Sequence, residues 1–217
     1  MNKIIKVILV NACLVAISAS FIYGMSMLKN NGDDKDSNTA IKKAPLFTAK
    51  DSNGKTHNLA DYKGKIVVLE WKNHLCPFVK KHYGSNNMQT LQKKLTSKGV
   101  IWLSIISSSE NRQGYVTPDE CNEIVKNEGS RATAVLLDPE GKIGKQYQAK
   151  TTPHMFVIDA AGNIVYQGAI DSIRSADPND IKKAKNYVFN AVDSIIKQKP
   201  IEPEQTAAYG CSVKYAY

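Results

Sequence analysis

The sequence has no long block of one charge. Lys and Arg total 29 against 20 Asp and Glu, a formal charge of +9. The lysines are spread along the chain and never form the run of about five or six that marks a charged tail, so the basic excess reads as a solubilising surface and not as a nucleic-acid groove. No internal repeat and no glycine-rich nucleotide loop is present, which sets aside repeat arrays and phosphate-cradling loops. Cysteine is scarce, with 4 in 217 residues: Cys13, Cys76, Cys121 and Cys211. Val79 occupies the position where a C-x-x-C turn begun at Cys76 would carry its second thiol. A local dithiol is therefore excluded, and any partner of Cys76 must come from far along the chain or from another molecule.

What is present describes one globular domain with terminal segments. Hydrophobic residues make up 42% and charged residues 23%, and the length suffices for a full core. Met1 to Lys6 is short and basic, and Val7 to Leu28 carries no charge over 22 residues. A bilayer crossing takes roughly 20 residues. Residues 1–28 are thus expected to be a signal peptide cut near Ser18-Ala19-Ser20, or an anchor over residues 5–28 with Lys3 and Lys6 inside. Lipoprotein processing at Cys13 is weaker, because only Val7 to Val10 precede Asn11. Every version exports the remainder to the periplasm or another extracytoplasmic space, where disulfides persist. The three cysteines left, an odd number, imply at least one free or cycling thiol.

Residues 29–44 are polar and read as a flexible tether. The domain is expected over 45–199 and a tail over 200–217. Asp51-Ser52-Asn53-Gly54 is a hairpin turn between short strand signals. Lys65 to Trp71 (KIVVLEW) and Val100 to Ile106 (VIWLSII) are buried-strand runs. A helical pattern follows Cys76 to Gly99, with Gly84 as a point of interruption. Thr117-Pro118-Asp119-Glu120 opens a second helix with a cap, Pro at the first position and Glu at the third. A strand at Thr133 to Leu137, a short helix from Gly141 to Gln148 and a hairpin of His154 to Asp159 with Ile164 to Gly168 come next. Asp177-Pro178 is expected to open a last helix carrying Ile181, Ala184, Val188, Ala191, Val192 and Ile195 on one stripe. This order predicts an α/β/α sandwich on a mixed sheet, parallel in its centre and antiparallel at one side, with an N-terminal β-hairpin extension.

Cys76 falls where a strand ends and a helix begins. Unpaired N–H groups and the positive end of the helix dipole favour a thiolate there, and Pro77 suits the first helical turn. His74 and Lys80 would add positive charge. Against an inert, apolar-packed cysteine, this position favours a reactive thiol, because chemistry in open α/β sheets collects at that edge. Cys121, with Ile124 and Val125, makes an apolar helix face and reads first as a small core residue. Cys211 lies in AAYGCSVKYAY, beyond Pro200-Ile201-Glu202-Pro203. Tyr209, Tyr215 and Tyr217 are unlike a disordered tail, so the tail is expected to dock on the body or on another subunit. Gly210 would permit a sharp turn beside the thiol.

The stretches APLFTAKDSNGKTHNLADYKGKIVVLEW, LCPFV and TTPHMFVIDAAGNIVYQG resemble the opening hairpin and first core strand, the active-site turn and the cis-proline segment of thioredoxin-like redoxins, the peroxiredoxins among them. The likeness spans roughly Pro45 to Lys199. NHLCPFVKKHY together with GCSVKY resembles a bacterial thioredoxin-family subset. It implies a redox nucleophile at Cys76, a buried proton-transferring acid at Glu70, a cis Pro153, and backbone of Thr152 that bonds a substrate strand beside Pro77. By analogy with C-terminal resolving cysteines, Cys211 would attack oxidised Cys76, in cis or across a dimer; an external thiol is the alternative. The chain departs from both parent patterns. The second cysteine of C-x-x-C is absent, and the peroxiredoxin P-x-x-x-T-x-x-C has Leu69 and Asn73 in place of Pro and Thr. Thr152-Pro153-His154 stands where peroxiredoxins carry an arginine.

The expected function is a thiol-dependent oxidoreductase without a cofactor, acting on disulfides or peroxides and recharged by a thiol protein or small thiol. Membrane contact and dimerisation are compatible with it. A second class is a copper(I)-binding or metal-delivery module using Cys76, His154 and Met155, with His74 nearby. A non-catalytic scaffold is the third.

Overall fold

A computed structural model of the chain describes residues 42–216. The expected leader and most of the tether lie outside the described residues. Among these, no helix is long and apolar enough to cross a membrane.

In chain order the elements are β1 (Thr48–Lys50), β2 (Thr56–Asn58), β3 (Val67–Trp71), α1 (Pro77–Gly84), α2 (Asn87–Thr96), β4 (Ile101–Ile106), α3 (Pro118–Glu128), β5 (Ala134–Leu137), α4 (Lys142–Gln146), β6 (Thr151–Thr152), β7 (His154–Ile158), β8 (Ile164–Gly168), α5 (Tyr187–Ile196) and β9 (Cys211–Ser212). The central sheet runs β5-β4-β3-β7-β8. β3, β4 and β5 are parallel, while β7 and β8 are antiparallel additions. β1 and β2 form the N-terminal hairpin, turned by Asp51, whose Oδ1 accepts from the amides of Asn53 and Lys55, each at 2.9 Å.

Period-two alternation divides the core. Val68 of β3 and Met155 and Val157 of β7 face α1, α2 and α5 through Val79, Met88, Leu95, Val188 and Val192. Leu69, Trp71, Leu103, Ile105 and Phe156 face the other way, onto the hairpin side and Ile143 and Tyr147 at α4. The long helical pattern after Cys76 breaks where expected: α1 ends at Gly84, and Asn86, in the left-handed region at φ 61, begins α2. The Thr117–Glu120 capping box forms at α3.

The last helix is shorter than the sequence pattern implies. Asp177 caps only a 3-10 turn, Pro178–Asp180, and α5 starts at Tyr187 with Asn186 as its cap. The backbone before it is engaged elsewhere: the Tyr187 amide donates to the Ile170 carbonyl at 3.0 Å and the Ser172 amide to the Lys185 carbonyl at 3.1 Å. Those bonds hold the segment against Ile170 to Ser172, so the apolar stripe becomes helical only from Tyr187.

The tail docks on the domain. Along β8, the Gln167 amide donates to the Glu204 carbonyl and the Thr206 amide to the Gln167 carbonyl, both at 3.0 Å. Gly168 permits this approach, since a Cβ there would lie 2.3 Å from Thr206 Oγ1. Further on, β9 pairs antiparallel with β6, and the Tyr215 hydroxyl donates to the Ala149 carbonyl at 2.8 Å.

Candidate active site

Cys76 is the N-cap of α1, with extended backbone (φ -69, ψ 127) and Pro77 in the first helical position. Its carbonyl accepts from the amides of Val79 at 3.0 Å and Lys80 at 2.9 Å. The turn before it is set by Asn73, which is buried; its Oδ1 accepts from the Leu75 amide at 2.9 Å and its Nδ2 donates to the Gln113 carbonyl at 3.1 Å. The Cys76 side chain is 0% exposed.

Two chain segments close over that sulfur. The Thr152–Pro153 peptide is cis, and the Thr152 carbonyl oxygen lies 3.1 Å from Cys76 Sγ. The sheet register places Cys211 opposite Thr152, and Cys211 Sγ is 2.8 Å from Cys76 Sγ. Both cysteines are free thiols. Burial opposes ionisation of Cys76, yet hydrogen bonds from the Cys211 thiol, from Thr152 and from the Cys211 and Val79 amides outweigh it and hold its pKa below the ordinary thiol value. Cys211 moves the opposite way, to about 11, through burial, its hydrogen bond to Cys76 and the Cys76 charge. The two thiols are therefore shifted in opposite directions by their contact, Cys76 toward easier and Cys211 toward harder ionisation.

Glu70 is 0% exposed on the helix-facing side of β3. Its carboxylate accepts from the Tyr83 hydroxyl at 2.9 and 3.1 Å, Trp102 Nε1 at 2.8 Å, Ser104 Oγ at 2.8 Å and Gln92 Nε2 at 3.2 Å. Four side chains thus donate to this one carboxylate, three of them to Oε2 alone. Beside it, Lys72, whose side chain is 1% exposed, pairs with Glu128 at 2.5 Å and lies 4.0 Å over the Tyr83 ring. Neither network carries a recognisable sequence signal, because its members are scattered over β3, α1, α2, β4 and α3.

The remaining candidates are divided between different clusters and opposite faces of the sheet. Cys121 is buried in a separate cluster with Ile106, Val116 and Val135, and burial raises its pKa. His154 and Met155 are neighbours on β7 and point to opposite faces: Met155 enters the helix-side core, while His154 packs 4.6 Å from the Phe156 ring. His154 Nδ1 accepts from the Lys150 amide at 3.3 Å, and burial, with Lys150 and Lys42, lowers its pKa to about 4. Met155 shares the helix-side cluster with Cys76 while His154 lies on the other face of the sheet, and no group of three or more His, Cys, Asp or Glu placed to hold a metal occurs among the described residues. His74 lines a cavity with Lys80, Tyr83 and Glu128; its pKa is lowered by burial, then by Lys72 and Lys80.

The sequence profile of the AhpC/TSA family matches residues 41–167. No curated protein is a significant match to the chain. Among solved structures, an uncharacterised conserved protein of Geobacillus kaustophilus aligns with a TM-score of 0.69 at 24% identity, covering 81% of this chain and 92% of that one. A hypothetical protein of Sinorhizobium meliloti 1021 aligns with a TM-score of 0.68 at 23% identity, covering 83% and 97%. A proposed protein disulfide isomerase of Bacteroides thetaiotaomicron gives 0.53 at 18% identity, covering 72% and 89%. The fold is thioredoxin-like.

Proposed function

The chain belongs to the AhpC/TSA family, and on that footing we propose that it is an exported thiol-dependent oxidoreductase. Cys76 is its nucleophile and Cys211 its resolving thiol. The observation that carries this reading is the 2.8 Å approach of the two sulfurs at the N-terminus of α1, beside the cis Thr152–Pro153 turn. The uncharged Val7–Leu28 run supports export, with or without retention of an anchor.

The chemistry is two displacements. The Cys76 thiolate attacks one sulfur of a substrate disulfide; that S–S bond breaks and one substrate thiolate leaves. Cys211 loses its proton and attacks the Cys76 sulfur, releasing the second substrate thiolate and forming a Cys76–Cys211 disulfide. Two electrons pass from the protein thiols to the substrate, and a reducing thiol protein or small thiol restores the dithiol by the reverse steps. Thr152 offers extended backbone to a substrate strand, and Pro77 leaves the first turn of α1 without an N–H beside the sulfur.

A peroxide is the second substrate class, favoured by one nucleophile paired with a C-terminal thiol. There Cys76 attacks oxygen, the O–O bond breaks, an alcohol or water leaves after protonation, and Cys211 displaces water from the resulting sulfenic acid.

Treating the reduced full chain with one equivalent of glutathione disulfide or hydrogen peroxide, followed by intact mass and non-reducing peptide mapping, tests the reading. A Cys76–Cys211 bond within one chain is expected, and Cys211→Ser should accumulate the Cys76 mixed disulfide or sulfenic acid. No change at Cys76, under conditions that oxidise a free reference thiol, overturns the reading. Which oxidant acts faster decides between the two substrate classes.

A further inference from the structure

Tyr209 ties the tail to the helix that carries Cys76. The residue is 3% exposed, and its hydroxyl donates to Asp171 Oδ1. Asp171 Oδ2 lies 3.4 Å from Lys81 Nζ and 3.8 Å from His82 Nε2, and the side chains of Lys81 and His82 are 0% exposed. Lys81 also donates to the Ile173 carbonyl at 3.3 Å. The Tyr209 ring packs edge-on against Phe78 at 5.8 Å. Phe78, Lys81 and His82 all belong to α1, which begins directly after Cys76.

The connection is short at both ends. Gly210, at φ 139, separates Tyr209 from Cys211, and a Cβ there would lie 2.0 Å from the Thr152 oxygen. Seating the phenol on Asp171 therefore leaves little freedom in where Cys211 goes. The same seating has two effects of opposite sign: it concentrates Cys211 at the Cys76 sulfur, and it covers that sulfur, which has no exposed surface while the tail is docked.

We propose that Tyr209 is a positioning residue whose phenol, held by Asp171 and Lys81, latches the tail so that Cys211 meets Cys76, and that release of this latch admits an external disulfide to Cys76. This rests on the reading of Cys76 as a working nucleophile. With glutathione disulfide as oxidant, the first displacement needs the latch open and the second needs it closed. Cys76 attacks one glutathione sulfur and expels a glutathione thiolate; deprotonated Cys211 then attacks Cys76 and expels the other.

The test uses the full chain and its Tyr209→Phe and Tyr209→Ala variants. Tyr209→Phe keeps the ring on Phe78 and leaves the Asp171–Lys81 pair whole, so it reports the hydroxyl alone. Two quantities are read by peptide mapping: the rate at which iodoacetamide alkylates Cys76 in the reduced protein, and the equilibrium constant for the Cys76–Cys211 disulfide in glutathione buffers. Loss of a hydrogen bond to a buried charge should change each by about 10-fold or more. Alkylation of Cys76 rises and the equilibrium constant falls, with Tyr209→Ala beyond Tyr209→Phe in both. Values unchanged in both variants overturn the latch, and so does movement of both quantities in the same direction. If Cys76 resists iodoacetamide and glutathione disulfide in every variant, the nucleophile reading itself has failed. If it reacts equally in all three, only the latch has failed.

Discussion

Gly210→Ala is the sharpest perturbation of the thiol pair that leaves both cysteines and the latch side chains unsubstituted. At φ 139 the Gly210 backbone lies where side-chain-bearing residues are strained, at a cost of about 1–3 kcal/mol. Strain is the smaller part. A Cβ at this position would stand 2.0 Å from the Thr152 carbonyl oxygen and 2.7 Å from its carbonyl carbon. Those are backbone atoms of β6, fixed between the cis Pro153 turn and β9, so no rotamer change relieves the collision. The β6–β9 pairing must open, and Cys211 must withdraw from Cys76. At about 1.4 kcal/mol per factor of ten, the strain alone lowers the equilibrium constant for Cys76–Cys211 disulfide formation by about 5- to 140-fold, and the collision adds to it. Titration of the full chain in glutathione buffers, with Cys76–Cys211 read by peptide mapping, measures this constant. Gly54→Ala is the control: Gly54 also has positive φ, 80, but nothing lies within 4 Å of its added Cβ. It should lower the unfolding free energy without moving the redox constant. A Gly210→Ala constant within about twofold of the parent, less than 0.5 kcal/mol, would refute the inferred approach of the tail to Thr152.

The buried Lys72–Glu128 pair should behave as a coupled unit. Lys72→Met alone, or Glu128→Gln alone, should cost about 3–5 kcal/mol in urea unfolding because a buried charge is left behind, and Lys72→Met with Glu128→Leu should recover most of it. The acid limb of stability should follow two histidines. His82 and His154 each have a folded pKa lowered to about 4, by burial first; Lys81 adds to this at His82 while Asp171 opposes it, and Lys150 and Lys42 add to it at His154. Between that value and the ordinary pKa of about 6.5, the unfolded chain binds protons that the folded chain does not. Stability is therefore full above about pH 6.5 and falls as pH drops toward about 4, by up to roughly 3 kcal/mol per histidine. Urea midpoints measured from pH 7 to pH 4 should show this slope, and His154→Phe should flatten it.

Much of the backbone was legible because it is locally encoded. The Asp51–Gly54 turn, the β-branched run of β3 and the Thr117–Glu120 box each act within a few residues, and each forms as its pattern implies. The last helix was misread for the same reason. Its apolar stripe extends back to Ile181, but the choice between helix and extended backbone before Tyr187 belongs to Ile170–Ser172, which captures those amides and carbonyls. Burial of polar residues was equally hidden. Lys72 and Lys81 look like two more surface lysines until Glu128 and Asp171, each far away in sequence, are brought against them.

At the site, the sequence by itself placed Cys76 between a strand and a helix and marked Thr152–Pro153 as its neighbour by resemblance, since a strand end, a helix start and a proline are local facts. It left the sulfur's partner open between Cys211, in cis or across a dimer, and an outside thiol. Only the tertiary structure decided which one lies near, across a separation of 135 residues. That approach depends on where α1 presents Lys81 to Asp171, the carboxylate that seats Tyr209, and on Gly210 having no side chain to meet Thr152. Such contacts join groups that share no local pattern, and their positions are set by the packed sheet and helices.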